Sequence, residues 1–355
     1  MNKNVYELAG STLAGCELLK VLGSGNNGVV YLAHQKNLNR NIACKIMTPE
    51  LQRDSAYMDT LFAEASNAAK LTHPNIIQAL DAGIENGLQY FMMEFVDGRS
   101  LESIRVNSPE IISTDFLLKI SLQLANAMDY AWSEHQMVHG DIKPGNLMIS
   151  DKDHQLKVGD LGLARSSNGM TSAPEDVMIT PLYAAPEIIA QQAAEPDLRS
   201  DIYSFGVMFY ELACGRAPFT GTVEELLQSH LYVIPAPLIT MNPDMDRELA
   251  SFIDTMLAKD PDERPANWKK VRAELQKIYD RLSAAAQAIQ NPAEISKLPE
   301  FQNAASGKSF RNASWSAEDK SKKLWEKYPW LLPALLIALI AIALLSLPFS
   351  LGLFK

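Results

Sequence analysis

One stretch, LLKVLGSGNNGVVYLAHQ, constrains the fold more than any other: apolar residues alternate on both sides of Gly23, Gly25 and Gly28, the pattern of two strands joined by a glycine-rich turn. Glycines in such a turn let backbone N–H groups approach an anion that any Cβ would hold away. The spacing G-x-G-x-x-G is weak evidence by itself, because it also opens dinucleotide-binding helices. Here Val30 and a second strand, NIACKIM, follow in place of a helix, which argues against the dinucleotide fold. Lys45 stands among Ile42, Ala43, Cys44, Ile46 and Met47. A lysine at a strand centre is ordinarily solvated, but a strand this apolar favours a buried, paired ammonium. The following segment, DTLFAEASNAAKLTHPNII, has helical spacing that puts Leu61, Ala65, Ala68 and Leu71 on one stripe with Glu64 at its border, a carboxylate within reach as the partner of Lys45.

A second stretch, MVHGDIKPGNLMI, sets Asp141, Lys143 and Asn146 between apolar flanks that read as strand edges. DIKPGN is turn chemistry, and an ordinary turn aspartate is the plain alternative. That alternative leaves the buried flanks and the glycine loop upstream without a purpose. His139 is expected to pack behind this loop and not to titrate in a reaction.

Composition limits what surrounds these segments. The chain has 355 residues, 47% apolar and 21% charged, enough for a two-lobed folded unit with something attached. Its net charge of −10 argues against a phosphate-backbone binder, so nucleic acid is not an expected partner. Cys16, Cys44 and Cys214 are far apart and odd in number, without metal-site spacing, which suggests neither a disulfide framework nor zinc and fits a reducing cytosol. No repeat is visible, and the first residues lack the apolar core of a secretory signal.

From 328 to 354 the chain has no charge, and WLLPALLIALIAIALLSLPFSLGLF is long enough for a transmembrane helix over 329–354, about 20 apolar positions against about 30 Å of hydrocarbon. Trp325, Tyr328 and Trp330 sit at the near boundary, and Lys320, Lys322, Lys323 and Lys327 flank it on the N-terminal side, which places everything upstream in the cytoplasm. The chain is thus read as membrane-bound by a C-terminal anchor in lipid, with 283–328, rich in Ala, Ser, Gln, Asn and Lys, as a juxtamembrane tether.

Taken in order, GSGNNGVV, ACK with Lys45, Glu64, HGDIKPGN, the DLG of 160–162, the APE of 185–187, SDIYSFG and Arg264 in KDPDERP resemble the eukaryotic-like (Hanks-type) serine/threonine protein kinases of bacteria, over about residues 12 to 282. The resemblance implies an α+β, bilobal fold: an N-lobe built on an antiparallel sheet to about residue 96, and a mainly helical C-lobe over 97–282. It also implies ATP as phosphoryl donor, serine or threonine hydroxyls of proteins as acceptors, and Mg²⁺, with Mn²⁺ equally suited to oxygen ligands. On that resemblance Asp141 orients the acceptor hydroxyl, Lys143 steadies the γ-phosphate, Lys45 holds the α- and β-phosphates with Glu64 fixing it, and Asn146 and Asp160 bind the metal. The adenine slot is lined by Leu22, Val30, Ala43, Met93 and Met148, with the backbone of Glu94 and Val96 bonding the base edge. Glu187 with Arg264, and Asp201, are expected to be scaffold.

Two residues depart from the family pattern. Gly140 stands where arginine is usual before the catalytic aspartate, so phosphorylation of the loop bearing Ser166, Ser167, Thr171 and Ser172 is not expected to be obligatory. Leu161 replaces the commoner phenylalanine of the metal-binding triplet. HGD also occurs in small-molecule phosphotransferases of the aminoglycoside-kinase type. ITPLYAAPE instead resembles the peptide-docking loop of protein kinases, and Thr180 with Lys143 matches the Ser/Thr-directed pattern. A membrane-tethered pseudokinase, with the fold and no turnover, is the remaining alternative; the tether and span also offer a route to a homodimer.

Overall fold

A computed structural model describes residues 4–25, 28–48, 68–109, 112–160, 165–166, 180–190 and 197–290. Glu64, Leu161, Ser167, Thr171, Ser172 and the apolar stretch 329–354 lie outside the described residues. The chain divides into two compact units, 1–284 and 285–355.

The glycine-rich segment forms the expected hairpin. Strands β1 (Thr12–Leu13), β2 (Cys16–Gly25), β3 (Gly28–Gln35), β4 (Arg40–Met47), β5 (Ala79–Glu85) and β6 (Leu88–Glu94) make one six-stranded antiparallel sheet in the order β1-β2-β3-β4-β6-β5. Alternation along β4 divides its side chains between two faces. Ile42, Cys44 and Ile46 pack with Tyr31 and Met92 into an apolar cluster. Ala43 and Lys45 point the other way, with Val30 opposite Lys45 and Met93 opposite Ala43. The apolar face is closed by the N-terminal segment: the Tyr31 hydroxyl donates to the carbonyl of Val5 (2.8 Å) and accepts from the N–H of Leu8 (3.1 Å). Val5 and Leu8 are buried there, each stabilising by about 1.5–3 kcal/mol.

A second cluster fills the C-terminal part. Strands β7 (Gly98–Ser100), β9 (Leu147–Ser150) and β10 (Leu156–Val158) form a small sheet, and β8 (Met137–Val138) pairs with β11 (Arg165–Ser166). The helices are α1 (Leu101–Asn107), α2 (Thr114–His135), α3 (Pro186–Ile189), α4 (Leu198–Cys214), α5 (Val223–Tyr232), α6 (Leu238–Met241), α7 (Arg247–Met256) and α8 (Trp268–Gln290). In α2 the buried residues Leu117, Leu124, Met128 and Ala131 recur at helical spacing, the Ser113 hydroxyl caps the start, and Gln136 in a left-handed conformation ends it. Helix α4 is buried nearly all round and is the axis of the C-lobe. Gly206 lets α7 approach it, because a Cβ there would stand 2.8 Å from Met256 Cβ. Among the described residues no helix is long and apolar enough to cross a membrane.

Candidate active site

The catalytic-loop residues sit between β8 and β9, the two short strands that the apolar flanks of DIKPGN become. Asp201, on α4, braces this loop from beneath: its carboxylate accepts the backbone N–H of His139 (2.6 Å) and of Gly140 (2.8 Å). Burial raises that carboxyl against the pull of these donors. Gly140 takes φ +78°, a left-handed conformation that glycine adopts without strain, so its place in the motif has a backbone reason beyond the loss of an arginine. His139 is fully buried. Its Nδ1 accepts from the N–H of Asp141 (3.2 Å), which leaves Nε2–H to donate to the carbonyl of Gly159 (3.1 Å) and ties the loop to the residue before Asp160.

Around Asp141 three side chains converge. Lys143 Nζ lies 2.6 Å from Asp141 Oδ2. Asn146 Nδ2 donates to the Asp141 carbonyl (2.8 Å) and to its Oδ2 (2.9 Å). Thr180 donates its hydroxyl to Asp141 Oδ1 (2.6 Å) and accepts from Lys143 Nζ (2.9 Å). A serine-sized hydroxyl is therefore already held between a carboxylate that accepts its proton and an ammonium that faces its oxygen.

Across the site, Lys45 Nζ pairs with Asp160 Oδ1 at 2.9 Å, joining residues separated by 115 positions of chain. Burial works to raise the Asp160 carboxyl, but the Lys45 ammonium outweighs it and holds the group below its usual value. Asp160 adopts φ +51°, a conformation aspartate tolerates better than most residues and one that aims its carboxylate at the lysine. Asp160 and the Oδ1 that Asn146 leaves over form a two-donor, all-oxygen set. That set fits Mg²⁺, which keeps water and phosphate oxygens in most of its coordination positions.

The residues assigned to the adenine slot gather on one side of the N-lobe sheet. Val30, Ala43 and Met93 share the face that carries Lys45. Leu22 is half exposed on β2, and Met148 lies on β9. Glu94 spends its N–H on Gln78 (2.9 Å) and its side chain on Lys157 (2.6 Å), an ion pair the sequence does not announce because Lys157 belongs to another strand. Val96 falls between β6 and β7, outside both ladders. Gly25 pairs with Gly28 at the tip of the hairpin, and a Cβ on Gly23 or Gly25 would meet nothing within 4 Å, which leaves open space beside the loop.

Beneath the 180–186 loop, Arg264 places Nη1 and Nη2 on the two oxygens of Glu187 (2.7 and 2.8 Å) and donates to the carbonyls of Ala258, Arg199 and Lys259. Every guanidinium N–H is satisfied. Burial raises the Glu187 carboxyl, but Arg264 and the Ser200 hydroxyl bring it below the ordinary value of 4.5.

Residues 16–276 match the protein kinase domain. The chain belongs to the bacterial Hanks-type serine/threonine protein kinases. Kinases similar to it include PrkC of Bacillus subtilis, 30% identical over 96% of this chain and 53% of that protein. PknJ of Mycobacterium bovis is 35% identical over 71% of this chain and 43% of that protein, and PknB of Mycolicibacterium smegmatis 33% over 79% and 46%. The chain thus spans about half the length of the curated relatives it matches. The crystal structure of the Mycobacterium tuberculosis PknI kinase domain is similar, with a TM-score of 0.61 and 25% identity over 76% of this chain and 98% of that one. The kinase fold accounts for the bilobal arrangement and for the order in which the polar residues appear.

Proposed function

We propose that this kinase transfers the γ-phosphoryl group of ATP to serine and threonine hydroxyls of proteins. The observation that carries the reading is the Thr180 hydroxyl, held with its proton on Asp141 and its oxygen facing Lys143. A substrate hydroxyl presented to the same carboxylate is oriented by Asp141, with Lys143 beside it to face the charge on the transferring group. Lys45 grips the α- and β-phosphates. Mg²⁺, when held by Asp160 and Asn146, supplies charge neutralisation along the phosphates. His139 and Asp201 keep the two halves of the catalytic loop in register. The small-molecule alternative is disfavoured by the 180–186 loop, whose anchoring to the C-lobe gives a peptide a fixed edge to lie against.

The apolar stretch 329–354 is proposed to hold the kinase in the lipid bilayer, with the catalytic unit on the cytoplasmic side, concentrating it near membrane-bound substrates. Incubating the full chain with Mg²⁺ and labelled ATP tests the activity: phosphoserine or phosphothreonine on protein is the expected product, and label on small molecules alone would defeat the reading. Alkaline carbonate extraction tests the anchor. The full chain is expected in the membrane pellet and a variant lacking 329–354 in the supernatant; equal partitioning would remove the anchor from the account.

A further inference from the structure

We infer that His230 is a positioning residue for the acceptor side of this site: its Nε2–H fixes the main-chain carbonyl of Leu182, next to the Thr180–Pro181 turn, and so sets how a substrate segment lies against the 180–186 loop. The inference rests on the reading that the site phosphorylates a protein hydroxyl.

His230 lies near the end of α5 and is fully buried. Its Nε2 is 3.0 Å from the Leu182 carbonyl and its Nδ1 is 2.9 Å from the Tyr203 hydroxyl. A carbonyl only accepts, so Nε2 carries the hydrogen; Nδ1 is then an acceptor, and the tyrosine donates to it. One neutral tautomer satisfies both contacts. Burial, with Lys259 close by, pushes the imidazole down to about 4, which keeps that tautomer over the working range of a cytoplasmic enzyme. Phe219 and Tyr203 meet the ring edge-on, with centroids 5.0 and 5.7 Å away. Lys259 Nζ donates to the carbonyls of Ser229 (3.2 Å) and His230 (2.7 Å) and so holds the backbone from which the ring projects.

The loop is fixed from three directions. Thr180 is held by the catalytic pair Asp141 and Lys143. Tyr183 is held from α4, its hydroxyl donating to Glu211 (2.6 Å) and its carbonyl accepting from Ser204 (2.7 Å). Leu182, between them, is held from α5 through His230. Loss of that tie frees the peptide unit between two fixed points, which changes the edge a substrate meets without touching Lys45 or Asp160.

The test compares His230→Asn with His230→Gln in the full chain, with casein as acceptor and water as the competing acceptor. The glutamine amide reaches the Nε2 position and keeps a donor for Leu182, whereas the asparagine amide reaches only the Nδ1 position. The expected result for His230→Asn is a casein KM raised about tenfold, the cost of reordering one freed peptide unit when the substrate binds. The KM for ATP and the rate of ATP hydrolysis stay at wild-type values, and His230→Gln restores most of the casein KM. Hydrogen exchange in peptides covering 180–186 is expected to quicken in the asparagine variant and not in the glutamine one. Variants that behave alike, or a KM for ATP that rises with that for casein, overturn the inference. If the wild type phosphorylates no protein, the reading of the site fails, and the exchange comparison alone decides the positioning role: unchanged exchange in His230→Asn ends it. Should that variant not fold, Tyr203→Phe, which removes the donor to Nδ1 and a 3.5 Å acceptor of Lys259 Nζ, is expected to show the same pattern with a smaller shift, and wild-type behaviour there overturns the inference equally.

Discussion

The proposed acceptor side of this site, around Asp141, and its proposed nucleotide side, around Lys45 and Asp160, are supported in different ways. Asp141 is surrounded by Lys143, Asn146 and Thr180, on a loop whose backbone is held by Asp201, above an ion pair in which the Arg264 side chain has no exposure. Lys45, in contrast, meets an Asp160 whose side chain is 39% exposed, and the glycine hairpin nearby has open space at Gly23 and Gly25. Among the described residues the first half is a closed hydrogen-bonded network, and the second is a part-buried ion pair, open to solvent on the Asp160 side, beside a loop with open space at two glycines. This division suits the chemistry: alignment of an acceptor hydroxyl tolerates little error, while the nucleotide must enter and leave with every turnover.

The largest expected effect is at Asp141. Asp141→Asn keeps the size and most of the hydrogen bonds but removes the proton acceptor, and kcat for phosphoryl transfer should fall about 10³-fold while the fold persists. A fall of less than about tenfold would mean the closed network is scaffold only. Next comes the ion pair beneath it. Arg264→Met leaves Glu187 buried with the Ser200 hydroxyl but no cation and should lower stability by about 3–5 kcal/mol in denaturant melts, with Glu187→Leu added in the double variant recovering most of it. The pH dependence has a fixed sign. Glu187 is held below its ordinary value of 4.5, so the pair's contribution is fully present above that pH and is lost as pH falls through the lowered value. The gap between wild type and variant should therefore narrow in acid; a gap that widens would contradict the pair.

Smaller effects sharpen the nucleotide side. Gly28 has φ +152°, and a Cβ there would run into the Ile46 carbonyl, so Gly28→Ala should lower stability by about 1–3 kcal/mol. Gly25→Ala meets nothing within 4 Å and should leave the melting temperature unchanged while weakening ATP binding. Smallest of all is the loop: with Gly140 in place of a phosphate-clamping arginine, replacing Ser166, Ser167, Thr171 and Ser172 together by alanine should change activity less than about twofold.

The sequence makes some of this legible and hides the rest for physical reasons. Asp141, Lys143 and Asn146 stand out because charged and amide side chains interrupt an apolar run within a few positions, and Lys45 because it interrupts a strand. Each signal is local. The supports are not local. Tyr203, His230 and Lys259 are distant in sequence; the first two read as ordinary helix residues and the third as a turn lysine until α4, α5 and the 180–186 loop are packed together. Glu94 with Lys157 is hidden in the same way. The N-terminal cover over the sheet has weak periodicity, and the only hint of it is Tyr31, a buried strand residue whose hydroxyl needs partners. Gly140 is legible as a missing arginine, but its left-handed backbone appears only in three dimensions.

The central claim is that residues scattered from Lys45 to Asp160 serve one nucleotide, with binding and chemistry divided between the two sides. Calorimetric titration of Mg·ATP into the full chain, beside Lys45→Met and Asp141→Asn, tests it most directly. The expected result is a dissociation constant at least about tenfold weaker for the lysine variant, the loss of a charge-assisted phosphate contact, and within about twofold of wild type for the aspartate variant. Equal binding by all three, or no binding by the wild type, would contradict it.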